Sequence, residues 1–531
     1  MKEVGTKRRP VIAGLTRNLL RVTVIPRLTL DLMRELVRLR VKPAMTGILL
    51  LLFTCNYLHS QTINLTLNQT IEIATAGSLQ AFKAKNLYLS SYWEFRSFKA
   101  GRLPTLSFSF SPLQYTNSIT QRYDYNENID IFRQQQSFSS SGGISISQKF
   151  EPTGGTFTLN SSLNYLRSTG ETVYTQFSST PLRLGYSQSL FGFNSFKWSK
   201  KIEPLKYEKA QKQFLYTRED ISQTAARYFF DLVLAQSEYD MAVENLSSTD
   251  SLFMAGKERS RISTISPADL MTLELDLINA ENSLENASIH LQRTMNSFIT
   301  FFGFERDSKI STVLPKIPVE LKISAEEALR YMNEHNPDVM SCRQQIMESE
   351  QSLERSLKTG GFDANISASA GFNQAGNRFA DAYINPSRQD VVNISLTIPI
   401  VDWGIRKGQV NMARNNLKAT RLTVEQNEQN LELELMTTVT EFNRQQNLLK
   451  RAEEAMNLAI SSYSINKQRF IVGRVDINTL TLSLSRRKEA QRNYLTILSN
   501  YWKCYYAIRK LTLFDFEKQE SLSYQFDRLV E

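Results

Sequence analysis

Residues that could support catalysis are sparse in this sequence. His290 and His335 have no cysteine, histidine or carboxylate at metal-ligand spacing, and they are predicted to be solvated helix positions. The chain has no GxSxG, P-loop or GxGxxG motif. The charged runs Glu453-Glu454 and Arg486-Arg487-Lys488 are typical of solvated helix faces. We therefore expect a protein that is not an enzyme and that uses no metal or cofactor.

The formal charge of +10 belongs mainly to the N-terminal leader. The chain has 63 Lys/Arg and 53 Asp/Glu; residues 1–44 hold 11 and 3 of these, which leaves 52 basic and 50 acidic residues. The remainder is therefore nearly neutral, and we expect no nucleic-acid partner.

An apolar run of nine residues, Gly47–Cys55, follows the basic leader and is too short to span a bilayer. This pattern predicts a signal peptide over residues 45–60 with cleavage after Ser60, preceded by a basic leader over residues 1–44. We therefore expect a secreted protein.

The sequence allows two variants of this processing. Met33 or Met45 could be the true start, and Cys55 could be lipid-modified. After cleavage only Cys342 and Cys504 remain, far apart in the chain, and we expect two buried thiols rather than a disulfide.

Long helical patterns dominate the second half. After Pro399 no proline occurs, and past Gly408 only Gly473 interrupts the run. From Gly408 the first helix would reach roughly 95 Å at about 1.5 Å per residue, before the chain turns back at Gly473. Apolar residues recur every seventh position along it, which indicates side-by-side packing. They are Leu435, Phe442, Leu449, Met456, Tyr463 and Phe470.

The same unit occurs twice. With a shift of 210 residues, the strand pattern 182–190 falls on 392–400 and the turn 263–270 falls on 473–480. The segments that open each unit match at a shift near 258. We therefore predict an internal duplication.

Each predicted repeat holds strands followed by two long helices. The boundaries are as follows: first repeat 61–304, with strands within 105–190 and helices at about 194–258 and 267–304; linker 305–322; second repeat 323–516, with strands within 362–400 and helices at about 405–470 and 475–512; tail 517–531.

Six runs between the helices alternate apolar and polar residues, which is typical of strands with two unlike faces. A secreted chain with little left over to cover such strands suggests a barrel with lipid outside and water inside. Periodicity alone leaves a soluble β-sandwich as the alternative. For the barrel, Phe108, Phe110 and Ile366 are predicted to meet lipid, and Ser107, Ser109, Ser367 and Ser369 to meet water.

Two or three strands per repeat cannot close a barrel within one chain, because edge groups unpaired in hydrocarbon cost several kcal/mol each. The barrel is therefore predicted to be shared between copies. The pattern of the long helix favours the same assembly. Small or polar residues lie beside its apolar ladder, which is typical of a helix in the wall of a hollow tube. These are Thr438, Gln445, Ala452, Ala459 and Asn466.

From Leu65 to Phe516 the chain resembles the TolC family of outer-membrane efflux proteins. The matching segments are the helix starts 65–71 and 321–329, the strand-to-helix junction 399–404 with a looser copy at 189–193, and the hairpin tip 472–480. The resemblance implies a mainly α fold with β, in which an internally duplicated strand and long-helix-pair unit forms a trimer. A twelve-stranded outer-membrane β-barrel would continue into a periplasmic α-helical barrel. Four strands per chain suffice there, so the pair at 144–165 would be an added hairpin or an extension of the outer loops.

The resemblance also implies a function. The chain would be the outer-membrane channel of a tripartite efflux system, a passive exit duct for small molecules. A proton-driven or ABC pump of the inner membrane would deliver them through a periplasmic membrane-fusion adaptor. An alternative is a channel for type I protein secretion. A structural periplasmic coiled-coil rod or an adaptor is a third, which the duplication disfavours.

Positions at the periplasmic entrance follow from register on Gly473. The family's acidic constriction falls on Thr479 and Leu482, so the acidic rings are predicted to be missing. We expect Phe470 and Leu482 to narrow the entrance instead. Asp476 is predicted not to form an acidic ring.

The family's latch between hairpins is altered too. Its aspartate is matched by Asp269, but its tyrosine and arginine partners fall on Phe470 and Val475, with Arg474 one residue off register. A surviving latch would be an Asp269–Arg474 ion pair, worth about 0–1 kcal/mol if exposed, and solvated tip residues are the alternative. An adaptor hairpin would dock between tips 261–269 and 473–478, with candidate contacts at Arg261, Ser263, Pro267, Gly473 and Asn478.

Overall fold

A computed structural model describes residues 63–124, 127–169, 173–262, 264–315 and 321–530. The predicted leader, the signal peptide, Cys55 and Ser263 lie outside these residues. The chain divides into a unit of residues 64–306 and 310–531, which holds the helices and the main sheet, and a small unit of which Ile63 and 307–309 are described.

The helices form two matched sets. Their lengths of 11, 22, 67 and 36 residues are the same in both repeats. The first set is α1 (Leu67–Gly77), α2 (Leu79–Ala100), α3 (Ser195–Arg261) and α4 (Pro267–Phe302). The second is α5 (Ala325–His335), α6 (Pro337–Lys358), α7 (Ile405–Ile471) and α8 (Ile477–Thr512), and a short α9 (Asp527–Val530) follows.

None of the helices within the described ranges is both long and apolar enough to cross a membrane.

One antiparallel sheet of six strands accompanies the helices. Its spatial order is β2 (Thr105–Asp124), β3 (Ile129–Phe150), β4 (Gly155–Thr169), β5 (Tyr174–Ser189), β7 (Asp363–Gly376) and β8 (Ser387–Thr397). Two small sheets pair β1 (Ile63–Thr66) with β6 (Ile310–Val313) and β9 (Phe514–Asp515) with β10 (Glu520–Ser521).

The strands are divided unequally between the repeats, so the prediction of two or three strands in each repeat holds for the second and is wrong for the first. The first repeat contributes four strands and the second contributes two. Apart from Phe138, the middle of β3 over 134–143 consists of glutamine, serine and glycine, and this polar stretch hides the true length of the strand in the sequence.

The two faces of the sheet differ in polarity across β2 to β5. The register places one apolar row across β2 to β5, and the next row on the opposite face is polar. Within the described residues no second large sheet occurs, which removes the β-sandwich alternative. The apolar row is Leu106, Ile146, Leu159 and Leu184, and the polar row is Ser107, Ser145, Asn160 and Arg183.

The long helices bury their apolar ladders against one another. Leu435, Phe442 and Leu449 of α7 lie in a core cluster that also contains Phe230 of α3 and Leu498 of α8. The seven-residue pattern of α7 therefore corresponds to the contact side of the helix.

Side-chain oxygens accept hydrogen bonds from backbone N–H groups at the starts of α3 and α7. Asn194 accepts hydrogen bonds from the backbone N–H groups of Phe196 and Lys197 at the start of α3. Asp402 accepts from Gly404 N at 3.0 Å and from Arg406 N at 3.1 Å at the start of α7. The junction motif therefore ends a strand and starts a helix.

The two cysteines are free thiols. Cys342 is buried and Cys504 is half-buried. Burial raises the pKa of both thiols, Cys504 to about 11, so both are inert at neutral pH.

Candidate functional site

The turns that end the two helical hairpins form the first part of the candidate site. In the turn before α4, Ser266 and Asp269 make a capping box: Asp269 N donates to Ser266 Oγ at 3.1 Å, and Ser266 N donates to the Asp269 carboxylate at 3.3 Å. Pro267 occupies the first helical turn. Asp269 is therefore engaged within its own helix.

The turn before α8 is built differently. Gly473 has φ = 75°, a conformation that glycine adopts at little cost. Asp476 caps α8 and accepts a hydrogen bond from Thr479 N at 2.9 Å. Hydrogen bonds from Thr479 hold the pKa of Asp476 below its usual range, so this carboxylate is ionised at neutral pH.

Arg259 joins the two turns, and the sequence interpretation missed it. Its Nη2 donates to the carbonyl oxygen of Ile471 at 2.8 Å and approaches that of Phe470 at 3.5 Å, both at the C-terminal end of α7. The guanidinium also lies 5.6 Å from the centre of the Phe470 ring. A cation at a helix C-terminus interacts favourably with the partial negative charge of the carbonyl groups there.

A signal for this contact does exist in the sequence. Arg259 lies in the last turn of α3, and with the shift of 210 residues it matches Arg469 in the last turn of α7. A basic residue that recurs at the same helix end in both repeats indicates a role at that end.

The predicted latch pair does not form within the described part of the chain. Asp269 bonds to Ser266, and the contact shown for Arg474 is a backbone bond from its N–H to Arg469 O. An Asp269–Arg474 pair stays a prediction for contacts between copies. Phe470 is half-buried.

The other predicted entrance and docking residues are solvent-exposed. Leu482 is 51% exposed and lies one helical turn after Thr479, so the two share a face of α8. The remaining exposed positions are Arg261, Pro267, Asn478 and Asp476.

Polar side chains hold α3 against α8 above the tips. Arg487 makes a bidentate ion pair with Glu244 at 2.9 and 2.6 Å, and its guanidinium lies 4.6 Å from the centre of the Tyr463 ring. Arg492 pairs with Glu238 at 3.3 Å. The Arg487 contact lowers the pKa of Glu244 and keeps it ionised.

The prediction that Arg487 belongs to a solvated face is therefore wrong. Its side chain is 8% exposed. Lys488 is half-buried, and burial lowers the pKa of its amine. Arg487 lies between the two hairpins, and periodicity within one helix does not reveal that contact.

The duplicated surface of the second repeat is more apolar. With the shift of 210 residues, Glu238, which pairs with Arg492 of α8, and Ser248, which lies beside Thr481 of α8, both become exposed leucines of α7, whereas Glu244 becomes Glu454. Positions of α8 that face α3 become exposed apolar residues of α4. Glu238 and Ser248 correspond to Leu448 and Leu458; Thr481, Ser485 and Lys488 correspond to Met271, Leu275 and Ile278.

The two histidines contact different residues. His290 is exposed, with its Nε2 3.9 Å from the Glu238 carboxylate, whereas His335 is half-buried with its Nδ1 3.3 Å from the Lys212 amine. Burial, followed by this positive charge, lowers the pKa of His335, which corrects its predicted solvated state. Across the described ranges no cluster of three or more His, Cys, Asp or Glu residues is arranged to hold a metal ion.

Comparison with known proteins gives a consistent result. Residues 331–512 match the outer membrane efflux protein family. No curated protein sequence matches the chain. The structure resembles the Campylobacter jejuni CmeC outer membrane channel, at 13% identity and a TM-score of 0.59 over 87% of this chain and 88% of that one. It also resembles the outer membrane protein VceC of Vibrio cholerae, at 14% identity and a TM-score of 0.59 over 84% of this chain and 95% of that one.

The open state of the Neisseria gonorrhoeae MtrE outer membrane channel is a further similar structure, at 13% identity and a TM-score of 0.55, with coverage of 84% and 88%. The resemblance to the TolC family and the duplicated fold class are confirmed. The family match and the fold indicate a protein of the outer membrane with a helical periplasmic portion.

Proposed function

We propose that this TolC-like protein is the outer-membrane channel of a tripartite efflux system. It acts as a homotrimeric, passive exit duct for small molecules that an inner-membrane pump delivers through a periplasmic membrane-fusion adaptor. The observation that carries the proposal is the contrast between the polar contact of α3 with α8 and the uncovered apolar surface at the duplicated positions.

The sheet supports assembly with other copies. β2 and β8 are its edges, and among the described strands each of them pairs on one side only. At membrane depth an unpaired backbone N–H or C=O costs several kcal/mol, so these edges require partners. Pairing of β8 with β2 of the next copy supplies them.

The helices support the same assembly. α3 contacts α8 within the chain, so the duplication implies that α7 of one copy contacts α4 of the next. The residues suit this contact, because Leu458 is 72% exposed on α7 and Leu275 is 57% exposed on α4. Covering such side chains contributes about 25 cal/mol per Å² of apolar surface removed from water.

The tips are the proposed adaptor-docking region. Arg261 and Pro267 at the first tip and Asn478 at the second are exposed, as a groove for a partner hairpin requires. Arg259 closes the pair of tips within one chain, so an adaptor that separates them would have to displace this contact. The energy for transport comes from the pump.

Two measurements test this function. Native mass spectrometry after mild detergent extraction should give a trimer, and a monomer as the sole species would refute the assembly. Deleting the gene should then raise cellular accumulation of fluorescent pump substrates, with normal export restored by the wild-type chain. Unchanged accumulation together with lost secretion of a protein substrate would instead establish the type I secretion role.

A further inference from the structure

We infer that the hairpin of β3 and β4 is part of the membrane barrel, so that the trimer closes an eighteen-stranded barrel rather than a twelve-stranded one. The inference rests on the proposed trimer for the copy number. Its structural basis, six wall strands in each chain, is independent of that number.

The hairpin has no counterpart in the second repeat. β2 precedes β7 by 258 residues and α3 precedes α7 by 210, so 48 extra residues lie between β2 and α3. The segment 129–169, which forms β3 and β4, accounts for most of them. Without it, both repeats would contribute two strands.

The hairpin is nevertheless inserted into the middle of the sheet. β3 pairs with β2 from Ser147 opposite Thr105 onward, and β4 pairs with β5 as far as Tyr174 opposite Ser168. No pairing of β2 with β5 occurs among the described strands. If the hairpin lay outside the barrel wall, β2 and β5 would each lose a partner strand inside the membrane. Their unpaired backbone groups would then cost several kcal/mol each in the hydrocarbon core.

The polarity of the hairpin matches that of its neighbours. On β3, Ile144 lies beside Phe108 of β2 on the apolar face, and Ser145 lies beside Ser107 on the polar face. Ile144 is 51% exposed and Phe108 is 71% exposed. A loop extension in water would gain nothing from this apolar side, whereas a strand between lipid and an aqueous lumen requires both faces.

The turn between β3 and β4 contacts residues that precede β2 and α3. Glu151, directly after β3, forms a bidentate ion pair with Arg102, which precedes β2. The carbonyl oxygen of Glu151 accepts a hydrogen bond from Asn194 Nδ2 at 3.0 Å, and Asn194 caps α3. The hairpin therefore reaches the level at which β2 begins and β5 ends, and it spans the same height as they do.

The consequence is a wider exit. Barrel diameter grows roughly linearly with strand number, so eighteen strands make the barrel about one and a half times as wide as twelve. Barrels of about 16–18 strands enclose an aqueous channel. Passage of cargo would then be limited at the helical tips and not in the outer membrane, and the barrel would accept bulky solutes.

Spin labels on β3 test the position of the hairpin. Single cysteines would be introduced at Ile144 and Ser145 in a full chain whose native cysteines Cys55, Cys342 and Cys504 are replaced by alanine. Each would be labelled with a nitroxide, and the protein would be reconstituted into phospholipid vesicles. We expect label 144 to be accessible to oxygen and shielded from a water-soluble nickel chelate, and label 145 to show the reverse. Phe108→Cys and Ser107→Cys on β2 are the matched controls. Equal nickel accessibility at 144 and 145, with the two controls separated, would overturn the inference.

Cryo-electron microscopy of the extracted assembly tests the number of strands. A trimer with eighteen strands supports the inference, and a trimer with twelve overturns it while leaving the proposed function intact. If native mass spectrometry shows another copy number, the proposed trimer and the count of eighteen both fail. The spin labels then still decide whether each chain contributes six strands to the wall.

Discussion

Substitution of Arg259 by methionine should open the periplasmic entrance. Methionine keeps much of the apolar stem over the Phe470 ring but removes every donor to the end of α7. In the wild-type chain the guanidinium donates to Ile471 O at 2.8 Å, a well-formed bond, and reaches Phe470 O at 3.5 Å, the limit of a hydrogen bond. The tips of one chain would therefore lose the contact that joins them.

The expected magnitude follows from these contacts. A hydrogen bond to a charged group contributes about 1.5–3 kcal/mol, and a cation at a helix C-terminus contributes about 0.3–1 kcal/mol. Arg259 is only half-buried, so solvent reduces the sum, and we expect about 1.4 kcal/mol per chain. That is about tenfold in the ratio of joined to separated tips. If the three chains must open together, the change is about a thousandfold.

Single-channel recording in planar bilayers measures this ratio as the fraction of time spent open. Lys257→Met is the matched control, because Lys257 is an exposed basic residue near the same end of α3. We expect Arg259→Met to raise the open fraction and Lys257→Met to leave it unchanged. The reasoning is refuted if an intact Arg259→Met trimer has the same open fraction as wild type.

Three further predictions concern assembly, membrane faces and charge. Leu275→Glu and Leu458→Lys should each weaken the trimer in native mass spectrometry. The double variant should restore it, because an ion pair replaces the apolar contact. A double variant whose trimer is as weak as those of the single variants would exclude this contact. Phe110→Arg should impair outer-membrane insertion, since a lipid-facing charge near mid-membrane costs about 2–4 kcal/mol. Ser109→Arg should be tolerated. Equal amounts of the two variants in the outer membrane would contradict the assigned faces. Asp476→Asn should leave cation block of the channel unchanged, because asparagine also caps a helix; a strong block by trivalent ions that this substitution removes would reveal an acidic ring.

Much of the helical architecture could be predicted from the sequence. The ladder through Leu435, Phe442 and Leu449 repeats every seventh residue because one side of α7 is buried along its length, and this leaves a regular pattern. The turn at Gly473 was visible because glycine alone interrupts a long run of helix formers. Such signals are local and periodic.

The contacts between hairpins could not be predicted in the same way. Arg487 lies within a run of basic residues, and only the neighbouring helix makes its position buried. Asp269 resembled a latch residue, but its carboxylate bonds to Ser266, three residues away. Periodicity describes one helix at a time, whereas these roles depend on which helix lies opposite.

The equal helix lengths of the two repeats constrain how the reach of this protein across the periplasm can change. α3 and α7 are both 67 residues long, and α4 and α8 are both 36. Removing residues from one helix alone would shift its ladder against its partners and leave one tip above the other. A viable change would remove about seven residues from all four helices, which keeps every face in register and shortens the duct by about 10 Å. The length of the helical duct can therefore be adjusted to the distance between the two membranes only in coordinated steps of that size.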